Sequence, residues 1–312
     1  MGVSTHPSYR FRSASDEALP EAALSADIAL LGDAVDDRGA ATTQAIKAKV
    51  STVHSVRFEI ADHSLHIDGN ETRFAQLKGL LPANKRVLID GTTLGFGEIL
   101  QIMQAAKSAG RRTIEFLYAE PKLYSRRMSA NGHAQSVEYH LTTNCEFTTV
   151  QGFAQEYSTN RLTAHVFMLG FEPARLLSAI EQRQFDMKTE RLHAIIGVPA
   201  FHPGWEANSI RPHLEALTDI SIGERNISYC QANSVREAYL TLWNLYRQLG
   251  DESGCFYVSP LGTKPHAMAA ALFLVETKGA DANTSLYYDH PVRVKSRSAE
   301  VGQWHHIEMV LA

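Results

Sequence analysis

Cysteine is scarce: three residues in 312, Cys145, Cys230 and Cys255, lie far apart and form no CxxC pair. An odd number excludes a closed disulfide framework, so a reducing compartment is expected. Long apolar runs are also missing, and none approaches the roughly 18 residues of a membrane span. The start, Met-Gly-Val-Ser-Thr-His, has His6 where a myristoylation signal needs Ser or Thr, and no secretory apolar core follows. A cytoplasmic protein without membrane contact is expected. Basic charge is not in excess: 30 Lys and Arg stand against 34 Asp and Glu, a net charge of −4. That balance argues against bulk electrostatic capture of nucleic acid and leaves only a local basic patch open.

Neither a Walker A loop nor GxGxxG occurs, so an ATPase or an ordinary dinucleotide dehydrogenase is not indicated. The 14 histidines form no HExxH or CxxC…H spacing. The adjacent pair His305-His306 would fall on opposite faces of a strand. No metal and no cofactor are therefore expected. Asp36, Asp37, Asp90 and Glu172 are the carboxylates from which a Mg²⁺ site would have to be drawn. Glu172 and Arg175 equally suit a structural pair within the turn leading into their helix.

What is present is an ordinary globular composition, 44% hydrophobic and 21% charged, in a chain long enough for two domains. Residues 1–26 read as a loose arm or an early helix. From Ile28 onward, short apolar runs alternate with helical spacing: strands at 28–31, 87–89 and 113–118, and helices near 40–49, 73–81 and 98–109. Val53–Ile60 and Ser64–Ile67 alternate as strands do. Residues 122–163 break the rhythm as a polar insertion, with a turn at Asn131-Gly132 and a hairpin around 137–141. It then resumes: strands at 165–169, 192–196, 227–230, 255–258 and 285–288, with helices through Leu177 and Ile180 and at 235–249 and 266–277. The expected fold is α/β, two tandem Rossmann-like units with mostly parallel sheets, at 27–121 and 164–312, the latter carrying a C-terminal extension.

The two units match internally. Val87-Leu88-Ile89-Asp90-Gly91-Thr92-Thr93 lies over Phe256-Tyr257-Val258-Ser259-Pro260-Leu261-Gly262. Without a gap, Phe116-Leu117-Tyr118-Ala119-Glu120 then lies over Ser285-Leu286-Tyr287-Tyr288-Asp289. Basic residues follow in each copy, Arg126 and Arg127 in one, Arg293, Lys295 and Arg297 in the other. Duplication about a pseudo-twofold axis explains the order of these matches.

Ligands of parallel sheets bind beyond the carboxyl ends of the strands. Two turns there are candidates. Asp90, Gly91, Thr92 and Thr93 offer close backbone approach and two hydroxyls. Gly262, Thr263 and Lys264 add a point charge suited to phosphate, at a helix start where a cation opposes the dipole. Helix capping is the plain alternative for the threonines. In the loop 199–205, Trp205 suits stacking on a base or anchoring the loop, and His202 suits acid–base work near neutral pH. Asn233 suits reading a polar ligand edge, with capping of the 235–249 helix as the alternative.

Leu261-Gly262-Thr263-Lys264-Pro265-His266-Ala267-Met268-Ala269-Ala270 resembles the C-terminal motif of CARF-type Rossmann domains, and the fused pair is similar to the SAVED arrangement. That resemblance implies a sensor of cyclic oligonucleotides in a prokaryotic antiviral defence system, acting with an effector or partner protein. It covers roughly 28–121 and 164–291 as topology. It matches residues only at 259–270, where Leu261-Gly262 replaces the usual Gly-Gly. The leading expectation is a nucleotide or cyclic-oligonucleotide binding protein. The alternatives are a metal-independent phosphodiesterase using His202, and a non-catalytic scaffold subunit that contacts its partner through 122–163.

Overall fold

The computed structural model describes residues 9–128, 137–143, 146–154, 162–185, 189–220, 222–249, 253–278 and 283–311. The chain start at 1–8, Cys145 and the turn expected at Asn131-Gly132 lie outside them. The chain divides into two compact units. One takes in Ser8–Ser125 and Arg293–Ala312, the other Arg126–Val292.

In the first unit the order is β1 (Tyr9–Asp16), β2 (Ile28–Leu31), α1 (Asp37–Lys49), β3 (Thr52–Glu59), β4 (Ser64–Ile67), β5 (Asn70–Thr72), α2 (Phe74–Gly79), β6 (Val87–Asp90), α3 (Phe96–Ser108) and β7 (Thr113–Tyr124). Every residue of β2 and β6 is buried, as the interior strands of a sheet covered on both faces should be. α1 starts at Asp36, whose carboxylate accepts the Gly39 N–H at 3.1 Å. α3 buries Ile99, Leu100, Ile102, Met103, Ala105 and Ala106, the apolar face that its spacing predicts.

The second unit opens with three short strands, β8 (Arg126–Met128), β9 (Val137–Tyr139) and β10 (Thr142–Thr143). The first two pair as an antiparallel hairpin. Then come β11 (Leu162–Leu169), α4 (Pro173–Arg183), β12 (Glu190–Gly197), α5 (Glu206–Asp219), β13 (Ile227–Cys230), α6 (Val235–Leu249), β14 (Ser253–Pro260), α7 (Lys264–Thr277) and β15 (Thr284–Leu286), and the short β16 (Val292–Arg293) falls where the chain passes from this unit to the first. The sheet order is β13-β12-β11-β14-β15, and every ladder in it is parallel. Counted along the sheet, the strands run third, second, first, fourth, fifth. The direction of winding reverses between β11 and β14. α7 is buried at every position except Lys264 and Glu276, so its uniformly apolar sequence reflects a helix enclosed on all sides. α5, unassigned from the sequence, carries Pro212 within it, which interrupts the helical pattern.

The last strand, β17 (Ser298–Leu311), returns to the first unit and pairs antiparallel with β7 on one side and β1 on the other. The full order there is β1-β17-β7-β6-β2-β3-β4-β5. Two sequence expectations change. Residues 9–16 form a strand, where an arm or helix was expected, and the C-terminal extension completes the first sheet, not the second. Both changes have one cause: β17 covers the edge of β7, and β1 then covers β17. The first sheet is consequently mixed, antiparallel at both flanks and parallel only at β3-β2-β6-β7. That inner order matches β12-β11-β14-β15 of the second unit, strand for strand. Among the described residues, no helix is long and apolar enough to cross a membrane.

Candidate functional site

In the second unit, the winding reversal places two glycines side by side. Gly170 follows β11 and Gly262 follows β14. A Cβ on Gly170 would lie 2.9 Å from the Leu261 carbonyl oxygen, and one on Gly262 would lie 2.8 Å from that of Leu169. Only bare backbone fits here, and the two loops follow the carboxyl ends of their strands, where parallel sheets receive ligands. Thr263 caps α7: its hydroxyl accepts the His266 N–H at 3.4 Å and donates to the Ala232 carbonyl at 2.6 Å. Lys264 is the first residue of α7 and half-buried, placed at this edge by the capped turn.

The loops after β12 and β13 reach the same edge. His202 and Trp205 meet edge to face at 4.5 Å, and Trp205 leans on Phe171 of the β11 loop at 5.9 Å. Trp205 therefore anchors its loop to a neighbour. Asn233 is half-buried beyond β13, and capping falls to the next residue, where the Ser234 hydroxyl accepts the Glu237 N–H at 3.1 Å. The structure thus gathers His202, Trp205, Asn233, Gly262, Thr263 and Lys264 on one sheet edge.

Beneath them lies chemistry that the sequence did not single out. His266 is fully buried, its Nε2 3.0 Å from the Gln231 carbonyl and 3.5 Å from the Cys230 sulfur. Burial pulls the His266 pKa down to about 4 and pushes the Cys230 thiol up to about 12. At neutral pH both are uncharged, so the pair is not a thiolate nucleophile. Arg175 is buried as well, and its partner is Asp289, through Nε to Oδ2 at 2.5 Å and Nη2 to Oδ1 at 2.6 Å. Its Nη1 donates to the Leu261 carbonyl at 2.7 Å, which ties α4 to the Gly262 turn. The pairing of Arg175 with Glu172 expected from their spacing is replaced. Glu172 instead accepts the N–H groups of Leu141 and Thr142 and the Thr142 hydroxyl.

The corresponding turn in the first unit is closed on itself. Asp90 is fully buried, and its carboxylate accepts the Thr92 N–H at 2.8 Å and the Thr93 hydroxyl at 2.7 Å. Burial raises the Asp90 pKa against those hydrogen bonds. The Thr93 hydroxyl accepts the Gly32 N–H at 2.8 Å, and the Thr92 hydroxyl accepts the Ala119 N–H at 2.9 Å. Asp90, Gly91, Thr92 and Thr93 are all buried, with both hydroxyls engaged by the fold.

Three of the four carboxylates weighed for Mg²⁺ are similarly occupied: Asp36, Asp90 and Glu172 each accept protein donors, while Asp37 is exposed. Among the described residues one group, Glu115, His306 and Glu308, has the spacing of a metal site. Glu115 there already holds Arg86 through two hydrogen bonds from Nε and one from Nη2, besides His306 at 3.2 Å. No family model matches the chain, and no curated protein matches it.

Proposed function

We propose that the protein binds a phosphate-bearing, nucleotide-like ligand at the carboxyl edge of the second unit's sheet, in the sensor-type role that the CARF-like motif at 259–270 implies. The observation that carries this reading is the β11/β14 reversal. Gly170 and Gly262 pack there without room for side chains, directly before a capped, buried helix that begins with Lys264. Lys264 brings a cation suited to phosphate to a helix N-terminus, whose backbone N–H groups also favour an anion. His202, Trp205 and Asn233, from the neighbouring loops, supply a stacking surface and polar contacts. We further infer that the two units are copies of one Rossmann-like unit. The shared inner strand order supports this, as does the contact of each entry glycine, Gly32 or Gly170, with the turn of the next strand over.

The test is mass spectrometry of whatever the denatured protein releases, with a thermal-shift screen of mono-, di- and cyclic oligonucleotides. Binding should weaken about tenfold or more in Lys264→Ala, the worth of a hydrogen bond to a charged group, while the free protein stays folded. Silence in both assays, or wild-type affinity in Lys264→Ala, removes the reading. Loss of a slowly formed cleavage product in His202→Ala would turn the binder into a phosphodiesterase.

A further inference from the structure

The first unit contains an arginine cluster that neither turn uses. Residues 293–298 run beside the loop from β2 to α1. The Ser296 N–H donates to the Val35 carbonyl at 2.7 Å, and the Ser298 hydroxyl donates to Asp36 Oδ2 at 2.6 Å. Ser125 secures the segment, its N–H donating to the Arg297 carbonyl at 2.9 Å. Arg38, buried at 2% exposure, is fully committed: Nη2 to Asp36, Nε to Ser298 Oγ and Nη1 to the Ala119 carbonyl.

The other two arginines are not committed in this way. Arg297 faces Asp36 with its Nε at 3.7 Å, too far for a hydrogen bond, and that nitrogen is buried without a partner. Arg293 makes one long contact, Nη2 to the Asp33 carbonyl at 3.4 Å, and its Nη1 is buried without a partner. Arg38 and Arg297 therefore share one buried carboxylate, which already accepts Gly39, Arg38 and Ser298, and Arg293 stands beside the same loop. The nearby Glu120 is engaged with His305 at 2.8 Å. Burial, followed by repulsion from Arg38 and Arg293, lowers the Arg297 pKa below the ordinary arginine value. Unpaired buried donors and excess like charge both carry a free-energy cost that an anion relieves.

We infer that this cluster is an anion site of the first unit that takes a phosphoryl group, with Arg293 Nη1 and Arg297 Nε as its donors. Guanidinium forks match phosphate oxygens in pairs, which a lysine does not. The place suits the chemistry, since it lies at the carboxyl end of β2 and at the first turn of α1. Asp36, Arg38 and Ser298 form the fixed wall of the site and Arg293 and Arg297 its binding face. The site is separate from the Gly262–Lys264 turn and does not depend on it.

The experiment titrates the whole 312-residue chain with sodium phosphate and with ribose 5-phosphate against sodium chloride at equal ionic strength, by calorimetry and thermal shift. Either phosphate should bind while chloride does not. Tighter binding of the ester assigns the site to a phosphorylated ligand, and tighter binding of free phosphate assigns it to the inorganic ion. Arg293→Gln and Arg297→Gln should each weaken binding about tenfold or more. Arg297→Gln should also leave the anion-free protein at least as stable as the wild type, because it removes repulsion. Arg297→Lys, which keeps the charge and loses the fork, should retain part of the affinity and serves if the glutamine variant fails to fold. Lys264→Ala should bind phosphate normally. Phosphate binding no better than chloride, undiminished binding in both glutamine variants, or binding lost in Lys264→Ala would overturn the assignment.

Discussion

Both units bury an arginine in the first turn of the helix that follows their first central strand, and the two arginines have opposite surroundings. Arg175 meets Asp289 in a closed, two-bond pair of equal and opposite charge. Arg38 shares Asp36 with Arg297, so two guanidinium groups draw on one buried carboxylate, while Arg293 stands beside the same loop. The same position in the same strand order thus serves as a structural tie in one unit and as one wall of the proposed anion site in the other. The lesson is that a buried charge has to be read with its full complement of counter-charges. Matched, it stiffens the turn; unmatched, it awaits a partner.

The largest expected difference between the units is in acid. In the second, burial pulls His165, His193 and His266 down to about 4. These histidines stay neutral when folded, so their contribution is complete above the unfolded value near 6.5. It is lost as pH falls from there through 4, by up to about 3 kcal/mol per histidine. In the first unit, Glu115 is buried, which works to raise its pKa, but hydrogen bonds from His306 and Arg86 hold it down to about 2. Its contribution is therefore kept until pH drops below the usual carboxylate range and is lost only towards 2. The raised pKa of Asp90 works in the opposite sense and delays the loss further. Peptide-resolved hydrogen exchange, corrected for intrinsic pH effects, should show the second unit loosening between pH 6.5 and 4 while the first stays protected. Simultaneous loosening would erase the contrast.

Next in size is the loss of each carboxylate. Asp289→Asn strands a buried guanidinium, and urea unfolding should register a loss of about 3–5 kcal/mol. Asp36→Asn should cost less, about 1–3 kcal/mol, because Arg38 keeps Ser298 and the Ala119 carbonyl. Equal losses would mean that the two arginines are held alike after all.

The sequence pattern disclosed these units well where strands are apolar on both faces. Val87–Ile89 stands out at once, and the α6 range of Val235–Leu249 follows from its spacing and caps. It disclosed poorly the strands that bury polar residues. His305, His306, Glu115 and Glu120 sit in or beside β17 and satisfy one another in pairs, so that stretch carries little apolar signal. The positions of the candidate turns were legible because glycine, threonine and a strand end define them locally. Their partners were not. Arg175 and Asp289 are 114 residues apart, and Asp36 and Ser298 are 262 apart. Sequence distance favoured Glu172 for Arg175, and only the sheet order brings Asp289 to it.

The smallest expected effect tests how tightly each winding reversal is packed. An alanine Cβ at Gly32 would meet the Thr93 carbonyl oxygen at 2.5 Å, its carbon at 2.7 Å and the Leu94 Cα at 2.9 Å, all backbone. At Gly170 the nearest atoms are the Leu261 oxygen at 2.9 Å and the Gly262 Cα at 3.2 Å. Backbone moves less readily than a side-chain tip, and the first turn is also held by the Gly32 N–H on the Thr93 hydroxyl. Gly32→Ala should therefore cost about 1–3 kcal/mol by overpacking. For Gly170→Ala, the reduced freedom of the unfolded chain, about 0.4–1 kcal/mol, offsets much of a milder clash. Urea midpoints for the two variants decide the matter. A larger loss at Gly170 would place the tighter turn in the unit proposed to bind the nucleotide-like ligand, and would make the self-bonded Asp90–Thr93 turn the more adaptable of the two.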